Sequence, residues 1–107
     1  MSLPEISPMD LANQQKAGVS WTIVDVREPT ELAIAALNDT LHIPMGEIPA
    51  RQGELPTTGH LGVLCHGGMR SARVTEYLIN QGFTNCVNIS GGIDRWSCEV
   101  DSGIARY

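Results

Sequence analysis

The sequence predicts an α/β fold in which a central parallel sheet carries helices on both faces. Two observations predict it. Short runs of β-branched and apolar residues alternate along the chain with segments of helical spacing. The connections between them are short, which is typical of chains that cross repeatedly over one sheet. In such a fold, ligands bind beyond the carboxyl ends of the strands, so residues that follow a predicted strand are the first candidates for function.

The first half of the chain is predicted to hold two strands and several short helices. Ser7, Pro8 and Asp10 are typical of a helix start, as N-cap, first helical residue and acid near the positive end. Gly18 is a plausible stop for that helix. The elements that follow are a strand over residues 21–26, a short helix from Glu28-Pro29 to about Leu37, a short strand over 41–44 closed by Pro44, and a helical turn or two over 46–52.

The second half repeats the alternation. An apolar strand over residues 61–64 leads directly to Cys65. A helix is predicted over 71–81, because Val74, Tyr77 and Leu78 share one face at spacings of three and four. Gly82 ends it. A last strand covers 86–89, and Gly91-Gly92 turns the chain into a final helix around 93–96.

Composition limits the class of protein. The chain has 107 residues, which is enough for one core, and we expect one domain over residues 1–107. A net charge of −5 with only 7 lysines and arginines argues against nucleic-acid and anionic-membrane partners. The start of the chain does not have the pattern of a secretory signal, and no apolar run is long enough to span a bilayer. We therefore expect a cytoplasmic protein.

The cysteine usage agrees with a reducing compartment. Three cysteines form an odd set without a Cys-x-x-Cys pair. Neither a disulfide framework nor a zinc site is indicated, so we expect reduced thiols and no bound metal.

The most informative segment begins where the strand over 61–64 ends. Cys65-His66-Gly67-Gly68-Met69-Arg70 forms a loop, which we call the cysteine loop (residues 65–70), and Ser71 follows it at the start of a helix. Backbone N–H groups, a helix N-terminus and a fixed cation all favour negative charge on a thiol placed there. The two glycines let the backbone turn its N–H groups inward at little cost. The alternative is an inert, buried cysteine before an ordinary turn.

The length of the loop narrows the chemistry. Cys-x4-Arg is one residue shorter than the Cys-x5-Arg loop that holds a phosphate in cysteine-dependent phosphatases. A tighter ring of N–H groups fits a single charged sulfur better than an oxyanion with four oxygens. The spacing therefore favours sulfur chemistry over phosphate chemistry.

Four segments together carry a resemblance to a known family. They are Val24-Asp25-Val26-Arg27-Glu28-Pro29, Leu41-His42-Ile43-Pro44, Leu64-Cys65-His66-Gly67-Gly68-Met69-Arg70-Ser71 and Gly91-Gly92-Ile93-Asp94-Arg95-Trp96. In this order and spacing the chain resembles a single-domain rhodanese, a sulfurtransferase of the rhodanese homology family, from about Ile6 onward. The resemblance implies a three-layer α/β fold with a parallel sheet of five strands. It also implies that Cys65 is the catalytic residue and that residues 66–71 bind the substrate.

The resemblance implies a mechanism as well. The Cys65 thiolate would take a sulfur from thiosulfate or another small anionic donor and keep it as a persulfide. Arg70 would help to bind the donor, and the loop N–H groups would hold the persulfide anion. A thiol, cyanide or a protein thiol would then accept the sulfur, in two half-reactions that need no cofactor.

Two other functions stay open at this point. The first is a weakly catalytic persulfide carrier, or a rhodanese module that binds a partner. The second is a phosphatase or arsenate reductase, which the short loop disfavours. Cys98, after the final helix, is a candidate resolving thiol.

The neighbours of the loop are expected to act mostly as structure. We expect Asp25, Arg27 and Glu28 to form a charge network that braces the loops. His66 is expected to line the mouth of the cysteine loop. Apolar packing is expected of Met69 and Trp96, with Met69 also shaping the rim. The side chains of His42 and His60 are expected to be structural or solvated, and Cys86, within a strand, is expected to belong to the core.

Overall fold

Five parallel strands form one sheet in the computed structural model, which describes residues 3–107. Met1 and Ser2 of the predicted domain lie outside the described residues. The strand order across the sheet is β1-β5-β4-β2-β3. The strands are β1 (Glu5–Ile6), β2 (Trp21–Asp25), β3 (Leu41–His42), β4 (His60–Leu64) and β5 (Cys86–Ile89).

Helices cover both faces of this sheet, as predicted. The helices are α1 (Pro8–Lys16), α2 (Pro29–Leu32), α3 (Ile48–Arg51), α4 (Met69–Asn80) and α5 (Gly92–Glu99), with 3-10 turns at Met45–Glu47 and Gln52–Glu54. On one face, Val74 and Leu78 of α4 pack against Val63 of β4. On the other, Leu11 of α1 and Ile93 of α5 pack in a second cluster. The three-layer α/β architecture is confirmed.

Adjacent side chains of the central strand β4 pack on opposite faces of the sheet. Val63 joins the α4 cluster and Leu64 the α1–α5 cluster, because side chains alternate across a strand. Both are completely buried. None of the helices within residues 3–107 combines the length and the apolar character needed to cross a membrane.

The strand β1 is the element that the sequence pattern did not reveal on its own. It has only two residues, Glu5 and Ile6, which pair with Asn88 and Ile89 of β5 at the edge of the sheet. Two residues cannot display the alternation that identifies a strand. The predicted N-cap follows at once, because Ser7 Oγ accepts a hydrogen bond of 3.1 Å from the Asp10 N–H.

Most boundaries fall within a few residues of the prediction, but α2 does not. This helix ends at Leu32 rather than near Leu37. Beyond that end, the Ala35 carbonyl accepts a hydrogen bond of 2.8 Å from Arg27 Nη2, a tertiary contact that the sequence pattern does not reveal. Helix α4 starts two residues before the predicted Ser71, at Met69, and α5 extends to Glu99.

The Asp25–Arg27 ion pair at the end of β2 is completely buried. Arg27 Nε and Nη2 donate to the Asp25 carboxylate at 3.0 and 2.7 Å. The backbone carbonyl of Arg27 lies 2.7 Å from His42 Nε2 of β3. Glu28 caps α2 through a reciprocal capping box with Glu31. The expected charge network is thus present for Asp25 and Arg27, whereas Glu28 caps a helix, and His42 has a structural role beside the pair.

Removing the Arg27 guanidinium is expected to be strongly destabilising. The change Arg27→Met keeps much of the side-chain volume but leaves the Asp25 carboxylate buried without its partner, which costs about 3–5 kcal/mol in comparable cases. Urea unfolding at neutral pH measures the free energy of unfolding. The control is Arg51→Met, which breaks an exposed pair with Glu47 and Glu54 and should change stability little. Equal losses of unfolding free energy in the two variants would contradict the larger contribution expected of the buried pair.

Candidate active site

Cys65 lies directly after β4, at the carboxyl end of the strand in the middle of the sheet. Its side chain is buried, with the residue only 1% exposed. The chain then passes through the cysteine loop into α4, whose N-cap is Gly68. The structure therefore brings all of the predicted site residues together in this loop and the first turn of α4: Cys65, His66, Gly67, Gly68, Met69, Arg70 and Ser71.

The cysteine sulfur has two polar neighbours. The Gly68 N–H donates a hydrogen bond to Sγ at 3.0 Å. Ser71 Oγ lies 3.2 Å from Sγ. The N–H groups in the first turn of α4, which begins at Met69, have no partner within the helix. A helix N-terminus next to the sulfur favours negative charge on it.

Asn88 is a site residue that the sequence reasoning missed. Ser71 Oγ donates to Asn88 Oδ1 at 2.5 Å, and Asn88 Nδ2 donates to the Gly68 carbonyl at 3.3 Å. The available signal was a single polar residue inside the otherwise apolar strand β5. Asn88 therefore fixes both neighbours of the sulfur.

The orientation of the cysteine loop depends on α5. The Ile93 N–H donates to the Cys65 carbonyl at 2.9 Å, and the Asp94 N–H donates to the His66 carbonyl at 3.1 Å. These bonds hold two carbonyls of the loop toward α5. The approach is so close that a Cβ on Gly92, which has a φ of +62°, would collide with both carbonyl oxygens.

Gly68 meets a similar constraint on the other side of the loop. Its φ is +105°, and a Cβ there would lie 3.0 Å from the Gly91 nitrogen. A residue with a side chain would therefore be strained in conformation and crowded in space. The glycines at 68 and 92 are required by this contact between two backbones.

Arg70 is bound by a carboxylate that the sequence spacing does not reveal. Its Nη1 and Nη2 donate to Glu31 Oε1 and Oε2 at 2.6 and 2.8 Å. These hydrogen bonds are the main cause that lowers the pKa of Glu31 to about 2, and the Tyr107 hydroxyl adds to the effect. The same pairing raises the pKa of Arg70 above its ordinary value. Glu31 was missed because it precedes Arg70 by 39 residues and belongs to α2.

Tyr107 packs against His66 of the cysteine loop. Its ring stacks on His66 with the centroids 3.9 Å apart and the planes at 8°. Its hydroxyl donates to Glu31 Oε2 at 2.8 Å and accepts from Arg27 Nη1 at 2.8 Å. Burial raises the pKa of this phenol. His66 is thus stacked against Tyr107, a neighbour that the sequence reasoning missed, and its place at the mouth of the loop stays a prediction.

Met69 does not pack as predicted. Its side chain is 74% exposed, because the first turn of α4 points it away from both cores. Its predicted role in shaping the rim of the pocket stays a prediction. Trp96, by contrast, is buried in the α1–α5 cluster, and His60 stacks on Trp21 with the ring centroids 4.8 Å apart.

The three cysteines are free, and only Cys98 is exposed. Cys86 is buried in the α4 cluster, and burial raises the pKa of its thiol. Within residues 3–107, the structure shows no group of three or more histidine, cysteine or acidic side chains arranged to hold a metal ion.

Comparison with known proteins gives consistent results. A family model described as the rhodanese-like domain matches residues 7–99. The Bacillus subtilis protein "Putative sulfurtransferase YtwF" is 36% identical over 100 residues, which are 94% of this chain and 96% of that protein. A protein of Allochromatium vinosum named "Sulfurtransferase" is 37% identical over 75 residues, 70% of each chain. The crystal structure of a rhodanese-like domain protein from Staphylococcus aureus superimposes with a TM-score of 0.84 at 31% identity, covering 98% of this chain and 99% of that one.

Adding one methyl group at Gly92 is expected to disrupt the cysteine loop. Gly92→Ala forces a side chain into a left-handed conformation, at a cost of about 1–2 kcal/mol, and also pushes against the Cys65 and His66 carbonyls. We expect a lower melting temperature and a changed alkylation rate of Cys65, read by peptide mass spectrometry. Gly46→Ala is the control, because a Cβ there has open space and no positive φ. Unchanged stability of Gly92→Ala would contradict the close approach.

The Glu31–Arg70 pair predicts a pH-dependent contribution to stability. The pKa of Glu31 is about 2 in the folded protein, against an ordinary 4.5. A lowered carboxyl pKa stabilises the folded state above the unfolded-state value, and this contribution is lost as the pH falls through the folded value. We therefore expect Glu31→Gln to be less stable than the wild type at neutral pH, with a difference that shrinks between about pH 4.5 and about pH 2.

Urea unfolding of both proteins across this range measures the difference. Glu76→Gln is the control, because it removes an exposed carboxylate of α4 for which the described residues show no ion pair. A difference for Glu31→Gln that stays constant down to the lowest pH would rule out the linkage.

Proposed function

The chain belongs to the rhodanese-like domain family, and from this membership we propose that it is a sulfurtransferase that carries a sulfane sulfur as a persulfide of Cys65. The observation that carries the proposal is the buried Cys65 sulfur at the N-terminus of α4, with the Gly68 N–H 3.0 Å away. A nucleophile that must bear negative charge before and after the reaction is well served by such a position.

The first half-reaction loads the sulfur. The Cys65 thiolate attacks the outer sulfur of thiosulfate or another small anionic donor. A sulfur–sulfur bond forms between Cys65 and that atom as its bond to the rest of the donor breaks. With thiosulfate, the electron pair leaves with sulfite, and the enzyme keeps the anionic persulfide. Arg70, at the mouth of the loop, is the cation that meets the donor.

The second half-reaction unloads it. Cyanide, a small thiol or a protein thiol attacks the outer persulfide sulfur, and the Cys65 thiolate leaves. Between the two steps, the N–H groups of the cysteine loop and the start of α4 hold the charged outer sulfur. Two half-reactions through one covalent intermediate predict ping-pong kinetics.

The chemistry uses a thiolate and hydrogen-bond donors throughout, so the proposed cycle includes no metal and no organic cofactor. The proposed catalytic residue is Cys65, and the proposed binding residues are His66, Gly67, Gly68, Met69, Arg70 and Ser71. Ser71 is held by Asn88 at 2.5 Å, which keeps its hydroxyl beside the sulfur. Three free thiols are compatible with the cytoplasmic location that we propose.

Intact mass spectrometry tests the persulfide directly. After incubation with thiosulfate and removal of excess donor, the wild type is expected to gain the mass of one sulfur atom, and cyanide should remove it with release of thiocyanate. Cys65→Ser is expected to gain none and to lose thiosulfate:cyanide transfer. Cys98→Ser is the matched control, because it removes an exposed thiol and leaves the cysteine loop intact. Sulfur loading or transfer that survives in Cys65→Ser would refute the proposed role of this residue.

A further inference from the structure

Glu31 is bound so firmly to Arg70 that it belongs to the site. Its carboxylate accepts four hydrogen bonds within the described residues. Two come from Arg70 at 2.6 and 2.8 Å, one from the Tyr107 hydroxyl at 2.8 Å and one from the Glu28 N–H at 3.2 Å. The Glu31 side chain is only 18% exposed. A carboxylate held from four directions does not move aside as a free surface side chain would.

The bound carboxylate changes what Arg70 offers to a donor. Any anion that reaches the guanidinium also lies close to Glu31, because the two groups are in direct contact. A second negative charge on a donor is attracted by Arg70 and repelled by Glu31 to a similar extent. The cost of removing an anion from water, however, rises with the square of its charge in the Born description. A neutral pair therefore favours donors with one charge over donors with two.

The other arginine–carboxylate contacts around the loop have the same character. Arg27 pairs with Asp25, and Arg106 pairs at 2.8 Å with Asp94, whose own N–H binds the His66 carbonyl. Both arginines are thus members of neutral pairs, as Arg70 is.

We propose that Glu31 is a specificity-determining residue that selects singly charged sulfane-sulfur donors, such as persulfide or thiosulfonate anions, over the dianion thiosulfate. This inference rests on the proposed sulfur transfer through Cys65 and narrows its donor class. With a persulfide donor R–S–S⁻, the Cys65 thiolate bonds to the terminal sulfur, the donor's sulfur–sulfur bond breaks, and R–S⁻ leaves with the electron pair. Charge and atoms balance without an oxidant or reductant.

The test compares two donors that differ in charge. Thiosulfate is a dianion, and the methanethiosulfonate anion, CH3SO2S⁻, carries one charge. Both donate an outer sulfur to the same thiolate, and cyanide is the acceptor in both assays. The measured quantity is kcat/KM for the donor, which in a ping-pong reaction reports the first half-reaction alone. It is determined for the wild type and for Glu31→Gln, which keeps the shape and the Oε1 acceptor but removes the charge.

We expect Glu31→Gln to raise kcat/KM for thiosulfate about five- to tenfold more than for methanethiosulfonate, the effect of one unit charge a few ångströms from the donor in a hydrated site. The decrease of kcat/KM for thiosulfate with added salt should also become steeper, since the donor now meets a net cation. A residue with only a structural role would not change the salt dependence. Tyr107→Phe removes one of the bonds to Glu31 and should shift the donor ratio in the same direction by less.

Glu54→Gln is the matched control. It weakens the exposed pair of Glu54 with Arg51, the last residue of α3. Its donor ratio should equal that of the wild type. Equal changes for both donors in Glu31→Gln, or a fall for thiosulfate, would overturn the inference and show that Glu31 orients Arg70 for binding. If neither donor leaves a sulfur on Cys65 of the wild type, the proposed function fails, and this inference fails with it.

Discussion

The contact between the cysteine loop and the N-terminus of α5 is the constraint on which the site depends. Two N–H groups at the start of α5 hold the carbonyls of Cys65 and His66 at 2.9 and 3.1 Å. A peptide group has its C=O and N–H on opposite sides, so fixing these carbonyls on the α5 side leaves the N–H groups free to face the sulfur. The loop can thus direct N–H donors toward the Cys65 sulfur only because α5 binds its carbonyl acceptors. Gly92 makes this possible, since a Cβ there would separate the two segments.

A second set of interactions ties the loop to the rest of the sheet. The buried Asp25–Arg27 pair ends β2, and Arg27 Nη1 reaches the Tyr107 hydroxyl. The same hydroxyl donates a hydrogen bond to Glu31, and Glu31 accepts hydrogen bonds from Arg70. Charge at the mouth of the loop is therefore connected to the core through one chain of hydrogen bonds. Because buried ionised groups are costly unless paired, each member of this chain has to remain close to the next.

The fold and the position of the cysteine loop could be predicted from the sequence, since both depend on local signals. Strand and helix periods, the N-cap at Ser7 and the order of the cysteine loop are all set within a few neighbouring residues. The errors occur where distant residues meet. Helix α2 ends at Leu32, and the segment after it is bound by Arg27 through the Ala35 carbonyl. Strand β1 is recognised only through its pairing with β5, and the exposure of Met69 depends on how α4 leaves the loop.

Glu31 and Tyr107 were missed for the same physical reason, because both are far from the cysteine loop along the chain. Glu31 and Tyr107 are 76 residues apart, yet the Tyr107 hydroxyl donates to the same Glu31 carboxylate that binds Arg70. Taken alone, Arg70 in a loop after a cysteine is a cation available to an anionic donor. Placed against Glu31, it is one half of a neutral pair whose hydrogen bonds keep their direction while the net charge is offset. The proposed nucleophile can thus be found from the cysteine loop alone, whereas the net charge proposed to meet a donor there depends on Glu31 of α2 and on Tyr107.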